Sequence, residues 1–328
     1  MIFVFSFLPS LLCLLTFYFL DNFKLISPKR LFIAFLLGML SAITAYFINN
    51  FAFSLIPDNN IFTIIIAPIT EELLKTSIIL FYFKKNRIGF LTDAALLAFI
   101  IGIGFATVEN LWYINNFNNP NMLVWLIRGT GAALLHSSAV IVFSISYFFL
   151  KEVSKANYFL ALIPAVILHS VFNLPVLPII PKVFTQLILL PIIVYILFTL
   201  SENKLKIWME KDFMADLELL EMIKSGQFSN TKLGEYLAKL SENFPPLVKV
   251  DMFCYTTLYI ELSFLAKGIL LMRELGIEQS LDQSAQDKLN ELKSLEKQIG
   301  KIALRTLKPL LPNFDKKMWQ VLFLKDNV

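Results

Sequence analysis

The chain has 328 residues, of which 57% are apolar, 14% aromatic and 16% charged, against about 25% charged in average soluble domains. This excludes a disordered chain, a collagen-like chain and a disulfide scaffold, and points to a membrane protein. Residues 1–200 hold 18 charged side chains and residues 201–328 hold 36, equally split between signs. A lipid-embedded domain (1–200) therefore precedes a charge-balanced, soluble domain (201–328). The net charge of +4 lies wholly in the first part, where it speaks for orientation in a bilayer and against a nucleic-acid partner.

A hydrocarbon core of about 30 Å needs roughly 20 apolar residues per helical crossing. The first 200 residues offer seven such stretches, near 1–20, 31–56, 61–83, 91–114, 122–150, 158–176 and 183–200. They are continuously apolar and do not alternate, so the fold class is all-α: a polytopic protein with about seven transmembrane helices, not a β-barrel. The first stretch lacks a basic leader and ends in Tyr18, Phe19 and Leu20, which reads as a helix and not as a cleaved signal. Lys24, Lys29 and Arg30, then Lys84, Lys85 and Arg87, then Lys151 and Lys155, fall in alternate loops; Lys182 stands alone in the sixth, and Lys204, Lys206 and Lys211 follow the last span. The positive-inside rule then sets the N-terminus outside the cytoplasmic (inner) membrane and the C-terminal domain in the cytoplasm.

After residue 200 the pattern is amphipathic helix, as in Leu289, Leu292, Leu295, Ile299 and Ile302. The stretch from Val248 to Leu275 is apolar enough to resemble an eighth span, but Asp251, Glu261 and Lys267 interrupt it. We read it as a buried helix of a soluble bundle.

Ionisable groups inside spans are expensive, about 2.5–3.5 kcal/mol each at a helix centre, and need a reason. Here they are Glu71, Glu72, Lys75, Glu109, Arg128, His136 and His169, including both histidines of the protein. Glu71 and Glu72 point about 100° apart, and Lys75 follows within reach of either. One carboxylate can therefore be held by Lys75 while the other faces a cavity. Phe105 and Glu109 share a face one turn apart, with Asn110 adjacent. Arg128, near the outer end of its span, reads as a snorkelling cation. His136 sits eight residues deeper, and His169 with Asn173 forms an i, i+4 pair.

Peptide hydrolysis needs a base for the water proton and donors for the oxyanion, and glutamates with His and Asn supply both without a metal. Two histidines and a carboxylate are also a catalytic zinc set, here His136, His169 and Glu109, but no His-Glu-x-x-His string is present. The metal-free reading is preferred. Intramembrane Glu and His chains also serve proton-coupled transport, and a non-catalytic scaffold on a protease-like fold is a third class.

Glu71-Glu72-x-x-Lys75, Phe105-x-x-x-Glu109-Asn110, His136 and His169-x-x-x-Asn173, in this order on successive spans, resemble the PrsW family of intramembrane proteases, relatives of the CAAX prenyl endopeptidases. The resemblance covers roughly residues 60–180. It implies cleavage of a membrane-anchored protein substrate, in PrsW itself an anti-sigma factor. It further implies that Glu71 activates water, Glu72 and Lys75 shape the site, and His169 with Asn173 stabilises the oxyanion. Glu109 stands where the CAAX endopeptidases have a histidine, and His136 takes part of that work.

Overall fold

A computed structural model describes residues 26–307 apart from 86, 89, 118–120, 151–156, 177, 275–276 and 278–282, with scattered positions among the first 25. The first expected span, 1–20, lies mostly outside the described residues, as do Lys24, Lys151 and Lys155. Every regular element described is helical. The chain divides into two compact units, Met1–Ser201 and Glu202–Val328.

In the first unit α1 (Pro28–Leu55) is followed by a turn at Asn59–Ile61, a π-helical turn at Phe62–Ile66 and α2 (Ala67–Lys84). Then come α3 (Leu91–Asn116), α4 (Met122–Leu150), α5 (Asn157–Asn173) and α6 (Ile179–Lys224), which continues past the boundary between the units. Helix α3 is the core of this unit, with an unbroken buried run from Asp93 to Ala106. It is apolar all round, as a helix surrounded by other helices must be. Small residues let its neighbours close in: a Cβ on Gly38 of α1 would lie 2.3 Å from the Ile101 carbonyl oxygen, and one on Gly102 would lie 2.4 Å from the Ser137 backbone of α4. Without lipid-driven apolar attraction between helices, such backbone proximity is what holds them together.

The protein is an all-α polytopic membrane protein, but the expected seven crossings are not what the helices give. Among the described residues four helices are long and apolar enough to span a bilayer: Pro28–Leu55, Leu91–Asn116, Met122–Leu150 and Pro246–Met272. The stretch expected at 61–83 forms α2, whose 18 residues carry Glu71, Glu72, Lys75 and Lys84. The stretch at 158–176 forms α5, with 17 residues, about 26 Å of helix and shorter than the hydrocarbon core. Helix α6 begins with the apolar stretch Ile179–Leu189.

The second unit contains the end of α6, a 3-10 turn at Phe228–Asn230, α7 (Lys232–Ser241), α8 (Pro246–Glu274) and α9 (Gln283–Leu307). Tyr255, Tyr259 and Leu262 of α8 pack with Leu289, Leu292, Leu295 and Ile299 of α9. Helix α8 meets the length and composition of a membrane span, although its fully buried Lys267 is tied to buried Asp216 at 2.8 Å. Ile302 departs from the expected stripe: it is 76% exposed, while Ala303 and Leu307 are buried. Gly300, at φ +78°, interrupts the helical backbone and resets the register, a conformation glycine adopts without steric penalty.

Candidate functional site

The charged residues of α2, α3, α4 and α5 meet in one connected group. On α2, Lys75 Nζ donates to Glu72 Oε1 at 2.5 Å, and both side chains are wholly buried. Burying either charge alone would be prohibitive, so the two must enter the interior as a pair. The same Glu72 oxygen lies 2.7 Å from His169 Nδ1 on α5, while Lys75 Nζ lies 2.8 Å from His136 Nδ1 on α4. Phe105 of α3 completes this layer: its ring is 4.5 Å from Lys75 Nζ and 4.5 Å from the His136 ring. A cation over an aromatic face is attracted by the ring quadrupole.

Hydrogen-bond chemistry fixes the tautomers. A lysine ammonium only donates, so His136 Nδ1 accepts and its Nε2–H donates to Glu109 Oε2 at 2.6 Å. A carboxylate only accepts, so His169 donates from Nδ1 to Glu72, which in the neutral imidazole leaves the lone pair on Nε2. That nitrogen faces Glu71 Oε2 at 3.8 Å. Two acceptors at this separation do not bond to each other; the gap between them suits a water donating both protons, or a cation.

Glu71 is 17% exposed, with Asn49 of α1 donating from Nδ2 to its Oε1 at 3.2 Å. The sequence reading of one held carboxylate and one presented carboxylate matches this geometry: Glu72 is locked to Lys75, and Glu71 lines a cavity of about 1230 Å³ with Glu109, His136, His169 and Asn173. The cavity has an aromatic rim that includes Tyr46, Phe53, Trp112, Tyr113 and Phe172.

One expectation about an individual residue is corrected, and two further residues are placed. Arg128 does not snorkel: its Nη2 donates to Glu109 Oε1 at 3.1 Å and its guanidinium stacks 3.1 Å from the Tyr113 ring centroid. Glu109 is consequently compensated twice, by Arg128 and by His136. Asn173 spends an amide hydrogen on the Thr63 carbonyl in the π-helical turn, at 2.9 Å, tying α5 to the segment that leads into α2. Asn110 is buried beside the site but does not line the cavity, and neither of its amide atoms has a hydrogen-bond partner among the described residues.

Two residues were not singled out from the sequence. Asn49 carries no motif, and only the packing of α1 on α2 brings it to Glu71. Lys182 was counted as a loop charge, but its ammonium donates to the carbonyls of Phe172, at 2.6 Å, and Leu174. It caps the end of α5 just beyond His169, where the helix dipole favours a cation.

A metal-capable group is present, and its membership differs from the zinc set read from the sequence. Glu71, His136 and His169 each offer one ligand atom, all within 4.8 Å of one another, whereas Glu109 is engaged by Arg128 and His136. Two imidazoles and a carboxylate are a zinc ligand set. His169 fits well, because its Nδ1–H is held by Glu72 and its Nε2 is free, the carboxylate–histidine pairing that orients metal ligands. His136 fits provided it releases one of its two hydrogen bonds.

Comparison with curated proteins and with solved structures returns no match. The model of the "PrsW family intramembrane metalloprotease" matches residues 27–199, just over half of the chain and every residue of the cluster, and the chain belongs to that family.

Proposed function

We propose that the chain is an intramembrane endopeptidase that hydrolyses a peptide bond of a membrane-anchored protein, such as an anti-sigma factor. The observation that carries this reading is the 3.8 Å gap between Glu71 Oε2 and His169 Nε2, two acceptors opening on a cavity large enough for a peptide segment. Water placed there donates one proton to each and turns its lone pair toward a substrate carbonyl. Glu71 takes the water proton as the carbonyl is attacked and returns it to the leaving nitrogen, as a general base followed by a general acid. Glu72 acts behind this pair by holding the His169 tautomer, and Lys75 balances the charge of Glu72. The second amide hydrogen of Asn173 is assigned to the oxyanion. Glu109, fixed between Arg128 and His136, maintains the opposite wall of the cavity.

The Glu71, His136 and His169 group favours a metal-assisted version of the same reaction. In that version these three residues would hold zinc, which would polarise the carbonyl and acidify water.

The basic loops support an N-terminus outside the inner membrane and a cytoplasmic second unit. The buried Asp216–Lys267 pair supports α8 as part of that soluble helical bundle, and the short α2 and α5 with the start of α6 pack beside the long apolar helices α1, α3 and α4 in the membrane unit. The test is cleavage of a panel of single-span proteins by purified wild type and Glu71→Gln, with and without a chelator, with products mapped by mass spectrometry. Glutamate-based hydrolysis predicts activity that survives chelation and is lost in the variant. Loss under both conditions assigns the metal-assisted version, and wild-type and variant activities that are equal contradict the proposal.

A further inference from the structure

We infer that Asn49 is a positioning residue for the reaction, fixing the plane of the Glu71 carboxylate so that one oxygen stays aimed at the water; this rests on the reading of Glu71 as the base or ligand. Asn49 lies near the end of α1, which contributes no other hydrogen bond to the cluster among the described residues. Its Nδ2 donates to Glu71 Oε1 at 3.2 Å. The other oxygen, Oε2, is the one that faces His169 Nε2 at 3.8 Å. A glutamate carboxylate turns freely about its last torsion, which is broad and roughly two-fold. A donor on one oxygen removes that freedom and keeps Oε2 aimed across the gap.

The orientation of the Asn49 amide follows from chemistry, since a carboxylate only accepts and Nδ2 must face it. Its Oδ1 is buried with no hydrogen-bond partner among the described residues. The amide therefore sits in an apolar helix with one end satisfied by Glu71 and the other end unsatisfied, an arrangement that costs stability. Leucine at this position would leave no unsatisfied polar atom and would suit the helix better. A residue retained for packing would not show that pattern, whereas a residue serving Glu71 would.

The experiment compares wild type with Asn49→Leu, Asn49→Gln and Asn49→Asp in detergent, by cleavage kinetics, thermal unfolding and infrared spectroscopy. The Glu71 carboxylate band is isolated as the difference from the matching Glu71→Gln spectrum in each background. Losing a partner that orients a catalytic group typically costs 10- to 100-fold, so Asn49→Leu should lower kcat by about 10- to 100-fold. KM should stay unchanged and the unfolding temperature should hold or rise. Asn49→Gln should recover part of the rate. Asn49→Asp, an acceptor beside an acceptor, should be no better than leucine. The Glu71 band should shift in Asn49→Leu. An unchanged kcat, or a lowered kcat with an unmoved band, overturns the proposal. If wild type cleaves none of the substrates, the band decides: a shift keeps the Asn49–Glu71 contact while the protease reading fails, and no shift removes the contact as well.

Discussion

Gly102→Ala is the substitution whose effect can be worked most directly from the packing. A Cβ at position 102 would sit 2.4 Å from the Ser137 nitrogen and Cα, and 2.7 Å from the His136 carbonyl carbon. Comfortable carbon contact lies at roughly 3.5–4.0 Å, and the obstructing atoms are backbone, so α3 and α4 must part by about 1 Å. Overpacking of this kind costs about 1–3 kcal/mol. The larger effect falls on the site, because the segment pushed away carries His136, whose bonds to Lys75 and Glu109 measure 2.8 and 2.6 Å. A displacement of about 1 Å at a catalytic constellation is worth about 100-fold in rate. Gly131→Ala is the control, since its Cβ would meet only the Val183 side-chain tip at 2.9 Å and the Phe172 ring at 3.6 Å. Thermal unfolding in detergent and initial cleavage rates, measured on both variants, check this. A Gly102→Ala protein with the wild-type rate would refute the reasoning that this helix contact sets the site.

Lys75→Met strands the wholly buried Glu72 and should cost about 3–5 kcal/mol; adding Glu72→Gln should restore most of the stability but not the rate, as unfolding and cleavage assays would show. In the second unit, Asp216→Ala takes the carboxylate from fully buried Lys267 and should cost about 3–5 kcal/mol in denaturant unfolding, with Lys267→Met recovering part of it. Lys182→Met removes the donor to the Phe172 and Leu174 carbonyls and should cost about 1 kcal/mol, with faster amide exchange confined to the end of α5.

Much of the cluster was legible because charge in a membrane helix is rare enough to be conspicuous. Glu71, Glu72, Lys75, Glu109, Arg128, His136 and His169 all stand out against apolar neighbours, and the structure joins all seven. Which partner each one takes was not legible. Glu109 shows no partner in its own span because Arg128 and His136 lie on another helix, and the i, i+4 spacing of His169 and Asn173 gave no sign that Asn173 turns to Thr63. Asn49 was missed for the same reason: a single amide at a helix end carries no pattern until the helix is packed. The number of crossings was overread because hydropathy treats α2 as one apolar stretch, while its site residues lower the hydropathy of its 18 positions. In α9 the period from Leu289 to Ile299 was sound, but a positive-φ glycine turns Ile302 outward, and a hydrophobic repeat does not reveal the backbone angle.

The most direct test of the account is the turnover number of Glu71→Gln on a substrate that wild type cleaves. General-base removal costs about 10²- to 10⁴-fold, so the account predicts a fall of that size with the unfolding temperature and the Lys75–Glu72 pair preserved. Turnover within a fewfold of wild type would contradict the claim that the Glu71–His169 gap is where the peptide bond is broken.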